Sequence, residues 1–297
     1  MRAGGLTLNT TGSPAVSGNL LVSGGTATLA QSNQVATGGT VAVSSGTLAM
    51  QGFSNTVTGV QITGGAITGT GGILTSTTAF DVRAGSVSAI LGGTVGLNKT
   101  TGSTATLTGA NTYTGATSIT NGILSISATG NLGDASGTNT ISIDGGTLQN
   151  TGTGVNLGVT RTVAIGGSGA TVDVTAANDL TISGDVGGSG NMLTKTGSGT
   201  LNLNGLQTYG TLKTNDGTTN VNSAFTNGTV DANATTNFTV SQTLAALNIG
   251  TVPLAGLGAE PAFTGGGAAV VPEPGSAVSL LGGLSMLLGL QRFRRRA

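Results

Sequence analysis

The sequence contains no cysteine, no histidine and no tryptophan, and only 3% of its 297 residues are aromatic. Without cysteine there is no disulfide, thiolate ligand or cysteine nucleophile, and without histidine there is no imidazole ligand or imidazole base. These absences exclude much of enzyme chemistry, and we expect neither a metal nor any other cofactor. Because a compact globular domain would carry larger core side chains, the chain is expected to bury small residues in thin layers.

Charge is also scarce, at 7% of residues, with ten Lys and Arg against ten Asp and Glu. Four of the ten cations lie at the C-terminus, namely Arg292, Arg294, Arg295 and Arg296. The remaining chain therefore has no basic patch, and we expect no nucleic-acid binding. Disordered chains are usually poor in β-branched residues, whereas Val, Ile and Thr are abundant here, which indicates a folded protein.

What the sequence does contain is strict alternation of apolar and polar residues. Examples are "TISIDGG" (Thr140–Gly146), "TVDVT" (Thr171–Thr175) and "LNLNG" (Leu201–Gly205). A period of two predicts β-strands with one buried face. Nothing before residue 270 has the 3.6-residue period of an amphipathic helix.

Glycine turns recur at a regular interval. Gly25, Gly46, Gly65 and Gly85 each precede a short alternating strand and lie about 20 residues apart, a period typical of solenoids. We therefore predict an all-β fold, a right-handed parallel β-helix over residues 1–250. A β-sandwich or a propeller, whose strands also recur with turn signals, is the alternative.

A longer repeat overlies the short one. The segment from Lys99 to Tyr113 agrees with that from Lys195 to Tyr209 at seven of fifteen positions. The two segments resemble the autotransporter-associated β-strand repeat, over about residues 97–128 and 193–222. The resemblance implies that they form coils of the kind found in passenger β-helices displayed on bacterial surfaces. Departures such as Gln207 for the usual Asn affect the local turn. We expect both lysines to be solvated at corners of the coils, where they discourage edge pairing.

The chain ends differently from the rest. Alternation stops in residues 251–270, which are rich in Pro, Gly and Ala and predict a flexible linker. "VPEPGS" follows, then residues 276–293, long enough to cross a bilayer as a helix of about 27 Å, and then "RFRRR". On hydropathy alone a buried hairpin competes with this transmembrane helix, but the terminal arginines favour the helix and a cytoplasmic C-terminus.

Residues 271–297 resemble the PEP-CTERM sorting signal of Gram-negative bacteria. The resemblance implies an exosortase as partner, with Pro272, Glu273, Pro274 and Gly275 as the recognition and processing step. It also implies transit through the inner membrane and a final location in the cell envelope, at the cell surface or in the extracellular matrix, with extracellular polysaccharide as a further partner. An ordinary tail anchor is the alternative. The N-terminus lacks an apolar leader segment, which favours a fragment of a longer protein.

Catalytic and metal sites find little support. Carboxylates on neighbouring coils should recur about every 20 residues, which the aspartates do not. Asp173, Asp179 and Asp185 are close in sequence and could line one edge, but Asp179 in "ANDL" and Asp185 in "SGDV" are interpreted as turn residues. "GGSGATVDV" at Gly166 has Thr171 where a calcium repeat requires Asp. The prediction is therefore a non-catalytic exported solenoid; the alternatives are a tail-anchored, adhesin-like passenger fragment and a β-helix that binds or cleaves polysaccharide.

Overall fold

The computed structural model describes residues 4–250. These residues form a parallel β-solenoid of short strands, each paired in parallel with a strand of the neighbouring coil. Sandwiches and propellers are built from antiparallel sheets. The predicted all-β parallel solenoid, of the right-handed type, is therefore confirmed, and the alternative folds are excluded for this part of the chain.

The strands belong to three sheets. The largest has 21 strands: β1 (Gly5–Leu8), β2 (Leu20–Val22), β3 (Thr26–Leu29), β4 (Thr40–Val43), β5 (Thr47–Gln51), β7 (Gly59–Ile62), β8 (Ala66–Gly69), β10 (Phe80–Val82), β11 (Gly85–Val87), β13 (Leu97–Lys99), β14 (Thr104–Leu107), β15 (Thr117–Ile119), β16 (Ile123–Ile126), β17 (Ile141–Ile143), β18 (Thr147–Asn150), β20 (Val163–Ile165), β21 (Ala170–Val174), β23 (Val186–Thr196), β25 (Gln207–Thr214), β27 (Thr229–Ala232) and β29 (Ala246–Ile249). A three-stranded sheet contains β6 (Asn55–Val57), β9 (Ile73–Ser76) and β12 (Ile90–Gly92). A five-stranded sheet contains β19 (Val155–Asn156), β22 (Asp179–Ile182), β24 (Thr200–Leu203), β26 (Thr218–Val221) and β28 (Thr235–Phe238). One 3-10 helix spans Thr129–Leu132.

Each coil contributes strands to more than one side of the solenoid. The large sheet has two sides, one running β2-β4-β7-β10-β13-β15-β17-β20 and the other β1-β3-β5-β8-β11-β14-β16-β18-β21, and they join in the long strands β23 and β25. The two smaller sheets occupy further stretches of the coils. Coil length varies around the predicted value, from 25 residues between Val155 and Leu180 to 17 between Asn220 and Asn237.

The core lies inside the coils, where the apolar residues of the alternating pattern stack on one another. Val87, Leu107 and Ile126 form one such column in register and are 1% exposed or less. Four aromatic side chains are buried there too: the Phe80 and Tyr113 rings lie 6.1 Å apart, and the Tyr209 and Phe225 rings 4.8 Å apart. The narrow interior accounts for the preference for Val, Leu, Ile and Thr in the sequence.

The recurring glycines stack on one corner. The N–H groups of the residues after Gly46 and Gly65 donate to the carbonyls of Gly25 and Gly46, one coil earlier, both at 2.9 Å. Gly65 has φ +71°, and a Cβ there would lie 2.2 Å from the Gly46 carbonyl oxygen. Only glycine fits a corner with this backbone conformation and this close approach.

Gly65→Ala is therefore expected to lower the free energy of unfolding by about 2 kcal/mol, because left-handed backbone alone costs an L-residue about 1–2 kcal/mol and the corner must also open. Urea unfolding of the full chain, followed by circular dichroism, measures the effect. Gly71→Ala is the matched control, since a Cβ there meets nothing within 4 Å and Gly71 has no positive φ. Equal losses for the two variants would contradict this account of the corner.

One part of the predicted fold class needs correction. The predicted architecture ends in a transmembrane helix, but residues 4–250 contain no helix with the length and apolar character needed to cross a bilayer. The segment that carried that prediction, residues 276–293, lies outside the described residues, as do the predicted linker at 251–270 and the sorting signal at 271–297. The fold class of residues 4–250 is accordingly an all-β parallel solenoid without a membrane-spanning helix.

Candidate functional site

The residues assigned to sorting lie beyond the described part of the chain. Pro272, Glu273, Pro274 and Gly275, and the basic tip of Arg292, Arg294, Arg295 and Arg296, all follow residue 250. Their role stays a prediction from the sequence. Candidate sites within residues 4–250 must be sought among polar groups inside the coils and on their outer faces.

The two repeat lysines are not solvated, which corrects the expectation for them. Lys99 and Lys195 are fully buried. Lys195 Nζ donates to the carbonyls of Thr196, Gly197 and Asp216 at 2.8, 2.6 and 3.1 Å. Burial lowers the pKa of Lys195 to about 8, an effect that the carboxylates of Asp216 and Asp173 oppose.

Lys99 makes the same kind of contacts in the first copy of the longer repeat. Its Nζ donates to the carbonyl of Asn121 at 2.9 Å and to that of Thr101, and burial lowers its pKa. In both copies the carbonyl that is more distant in sequence, that of Asn121 or Asp216, belongs to the residue before a glycine with positive φ, Gly122 or Gly217. The lysine thus ties a turn of its own coil to a turn of the next, which explains why it recurs. The role is structural, because every hydrogen bond from Nζ goes to backbone.

The tyrosine half of the repeat differs between the copies. Tyr113 Oη lies 2.7 Å from Thr117 Oγ1, and burial raises the pKa of Tyr113 to about 12, opposed by that contact and by Arg161. Tyr209 Oη is buried without a hydrogen-bond partner, as is Gln207 Oε1. In the second copy the missing residue brings Leu212, rather than a threonine, to the position of Thr117.

The same deletion changes the backbone. The first copy bends between Tyr113 and β15, whereas in the second copy β25 runs without interruption from Gln207 to Thr214. Both polar atoms of the first-copy Asn111 side chain are hydrogen-bonded, since its Oδ1 accepts the Leu91 N–H at 2.8 Å and its Nδ2 donates to the Asn131 carbonyl at 2.6 Å. The departure at Gln207 therefore alters the turn and leaves the strands intact.

Arg161 is the largest fully buried side chain among the described residues. Its Nε and Nη2 donate to Asn139 Oδ1 at 3.0 and 2.7 Å, and Nη1 donates to the Leu157 carbonyl at 3.2 Å. Further bonds reach the backbone carbonyls of Asn139, Leu132 and Gly133. Burial lowers the pKa of Arg161, while Tyr113 and Asp134 oppose the shift. Only amide and backbone oxygens accept from this guanidinium, so the cluster supports the coils rather than a reaction.

The structure does not bring the three candidate aspartates together as one site. Asp173 accepts hydrogen bonds from Gln149 Nε2 at 2.8 Å and Thr196 Oγ1 at 3.3 Å. Asp179, the first residue of β22 rather than a turn residue, accepts the Gly154 N–H at 2.8 Å, and Asp185 accepts the Leu206 N–H at 2.9 Å. Within residues 4–250 there is no group of three or more acidic side chains that could hold a metal ion.

The outer side of the five-stranded sheet carries a regular polar surface, which we call the Asn–Thr face. Strands β24, β26 and β28 pair in register, so their outward residues align in columns from coil to coil. Hydrogen bonds link the side chains along two of these columns. The face consists of Thr200, Asn202, Asn204, Thr218, Asn220, Asn222, Thr235, Asn237 and Thr239, all half-buried or exposed.

Two amide ladders order this face. Asn237 Nδ2 donates to Asn220 Oδ1, and Asn220 Nδ2 donates to Asn202 Oδ1, both at 2.8 Å. In the second ladder Asn222 Nδ2 donates to Asn204 Oδ1 at 2.8 Å, and Thr239 Oγ1 donates to Asn222 Oδ1 at 3.1 Å. Because each amide is held by its neighbours, the face presents fixed rather than freely rotating groups.

A sequence signal for this face existed. "LNLN", "TNVN" and "TNFT" place a polar pair at the same two positions of three successive coils, beginning at Leu201, Thr219 and Thr236. Carboxylates at coil spacing do not reveal this face, because it consists of Asn and Thr. The burial of the Lys and Arg side chains has no comparable signal, because their acceptors are backbone carbonyls except for Asn139 Oδ1, which accepts from Arg161.

Comparison with known proteins gives one informative likeness. Over 112 residues the chain is 39% identical to the adhesin BmaC autotransporter of Brucella suis biovar 1 (strain 1330). The matched stretch is 38% of this chain but only 3% of that protein. No family model matches the chain, and no solved structure does. The likeness and the solenoid together fit autotransporter-like repeats.

Proposed function

We propose that this chain is part of a non-catalytic β-solenoid rod displayed on a bacterial surface, in the manner of an autotransporter adhesin passenger. The observation that carries the proposal is the parallel solenoid with its two autotransporter-like repeats, together with the 39% identity to an adhesin over 112 residues. A structural role is supported by the way the polar groups are used. The buried Lys99, Arg161 and Lys195 all donate to oxygens of neighbouring turns.

Surface display is tested by inserting an epitope tag after Gly137, an exposed turn glycine with open space around it. The full tagged chain is produced in its native host, and intact cells are labelled with antibody. We expect labelling of intact cells that protease treatment of those cells removes. A tagged periplasmic protein is the control and must stay unlabelled until the cells are permeabilised. Labelling of the chain only after permeabilisation would overturn the proposal.

The finer hypothesis, sorting and processing by an exosortase through Pro272, Glu273, Pro274 and Gly275, rests on the sequence resemblance alone. Intact mass of the chain from its native host, with and without the exosortase gene, tests it. Loss of the residues beyond this motif only when the enzyme is present would support processing. An unchanged mass in both strains would remove the exosortase from the account and leave the adhesin-like rod, which the likeness to an adhesin favours.

A further inference from the structure

We propose that the Asn–Thr face is a binding surface for an uncharged polysaccharide chain. The inference deepens the proposed surface role and rests on it, because a displayed rod meets matrix glycans. It is drawn from the chemistry of one face of the solenoid, defined by residues Thr200 to Thr239 on β24, β26 and β28.

The Asn–Thr face is uncharged. None of the nine residues of the face is ionisable, and Asp179, on the adjacent strand β22, already accepts the Gly154 N–H. Outward charges lie instead on the large sheet, for example the Asp81–Arg83 pair at 2.8 Å and Asp173. A polyanion needs cationic residues to neutralise it, and a lipid surface needs apolar or basic ones. The face therefore suits a neutral partner.

The side chains of the face are of types that suit a glycan better than a protein. Energetically important residues of protein–protein interfaces are enriched in Trp, Tyr and Arg, and the face has none. It offers amides and hydroxyls, which both donate and accept hydrogen bonds. The sugar hydroxyls of a neutral glycan are likewise both donors and acceptors, so the two surfaces are complementary without any charge.

The amides of the face also have unused hydrogen-bonding capacity. An Asn side chain has two N–H donors and two acceptor lone pairs. Asn220 donates once, to Asn202, and accepts once, from Asn237, and Asn222 is used in the same way between Asn204 and Thr239. Each therefore keeps one N–H and one lone pair for a ligand. Both amides are oriented before any ligand arrives, which lowers the entropic cost of binding.

The polar groups of the face also repeat from coil to coil. Neighbouring strands are about 4.8 Å apart, and successive outward residues of one strand about 7 Å apart, so equivalent groups recur at fixed intervals along the rod axis. A polymer of identical sugar units can repeat the same contact from coil to coil. Individually weak hydrogen bonds then add up through multivalency.

The test uses the purified full chain and the extracellular polysaccharide of the native host, separated by anion exchange into neutral and acidic fractions and coupled to beads. We expect retention on the neutral fraction, and at least tenfold weaker retention of the Asn202→Ala/Asn220→Ala double variant. Asn98→Ala is the matched control, because Asn98 is an exposed outward residue of the large sheet; it should bind as the unaltered chain does. Circular dichroism must show all three proteins folded.

Retention on neither fraction, retention on the acidic fraction only, or equal retention of the double variant and the unaltered chain would overturn the inference. Surface labelling of cells that produce the double variant separates this failure from failure of the proposed function. A chain that is displayed but not retained contradicts only the inference that the face binds glycan. A chain that is never displayed contradicts the proposed surface role itself.

Discussion

Replacing Arg161 with methionine is expected to lower the free energy of unfolding by about 4 kcal/mol. The substitution leaves the carbonyls of Leu132, Asn139 and Leu157 without their donor inside the coils, and each buried acceptor left unpaired costs about 1–3 kcal/mol. Removing a guanidinium that burial had stripped of water offsets part of that loss. Urea unfolding of the full chain measures the difference.

Arg83→Met is the matched control for this experiment. Arg83 has 42% of its side chain exposed and forms its ion pair with Asp81 at the surface, where such pairs contribute little to stability. The control variant should therefore unfold at nearly the same urea concentration as the unaltered chain. If Arg83→Met and Arg161→Met lost similar stability, the buried cluster would not have the role assigned to it.

The fold was largely predictable because a solenoid repeats its local pattern in every coil. The alternation in "LNLNG" identifies Leu201 and Leu203 as inward residues, and both are fully buried. The glycine interval from Gly46 to Gly65 is one coil, because the corner backbone stacks there. Both signals are local, and each coil supplies another copy, which makes the pattern distinguishable from chance.

The buried cations were not predictable for the opposite reason. A charged side chain is ordinarily expected in solvent, and the burial of Lys195 depends in part on the turn at Asp216, 21 residues later, which presents a carbonyl to it. Arg161 likewise depends on Asn139, 22 residues earlier. Such partners are brought together by the exact length of a coil, which varies along this chain. The Asn–Thr face lies between these cases, since its polar pairs do recur at coil spacing.

Replacing Lys195 with methionine is expected to lower the free energy of unfolding by about 3 kcal/mol. The ammonium group donates to the carbonyls of Thr196, Gly197 and Asp216, and the substitution leaves these acceptors unpaired beside a buried thioether. Lys213→Met is the matched control, because Lys213 faces outward and half-exposed on the neighbouring strand. It should change stability by less than about 0.5 kcal/mol.

The pH dependence distinguishes a buried ammonium from a merely well-packed chain. The pKa of Lys195 is about 8 in the folded protein and about 10.4 in an unfolded chain. Between these values the unfolded state binds more protons, so stability rises with pH. The difference in unfolding free energy between the unaltered chain and Lys195→Met should therefore grow from pH 8 to pH 10 and be constant below pH 7. A difference that stays constant from pH 7 to pH 10 would mean that Lys195 has the same pKa in the folded and the unfolded chain. That result would contradict the burial of its ammonium group inside the coils.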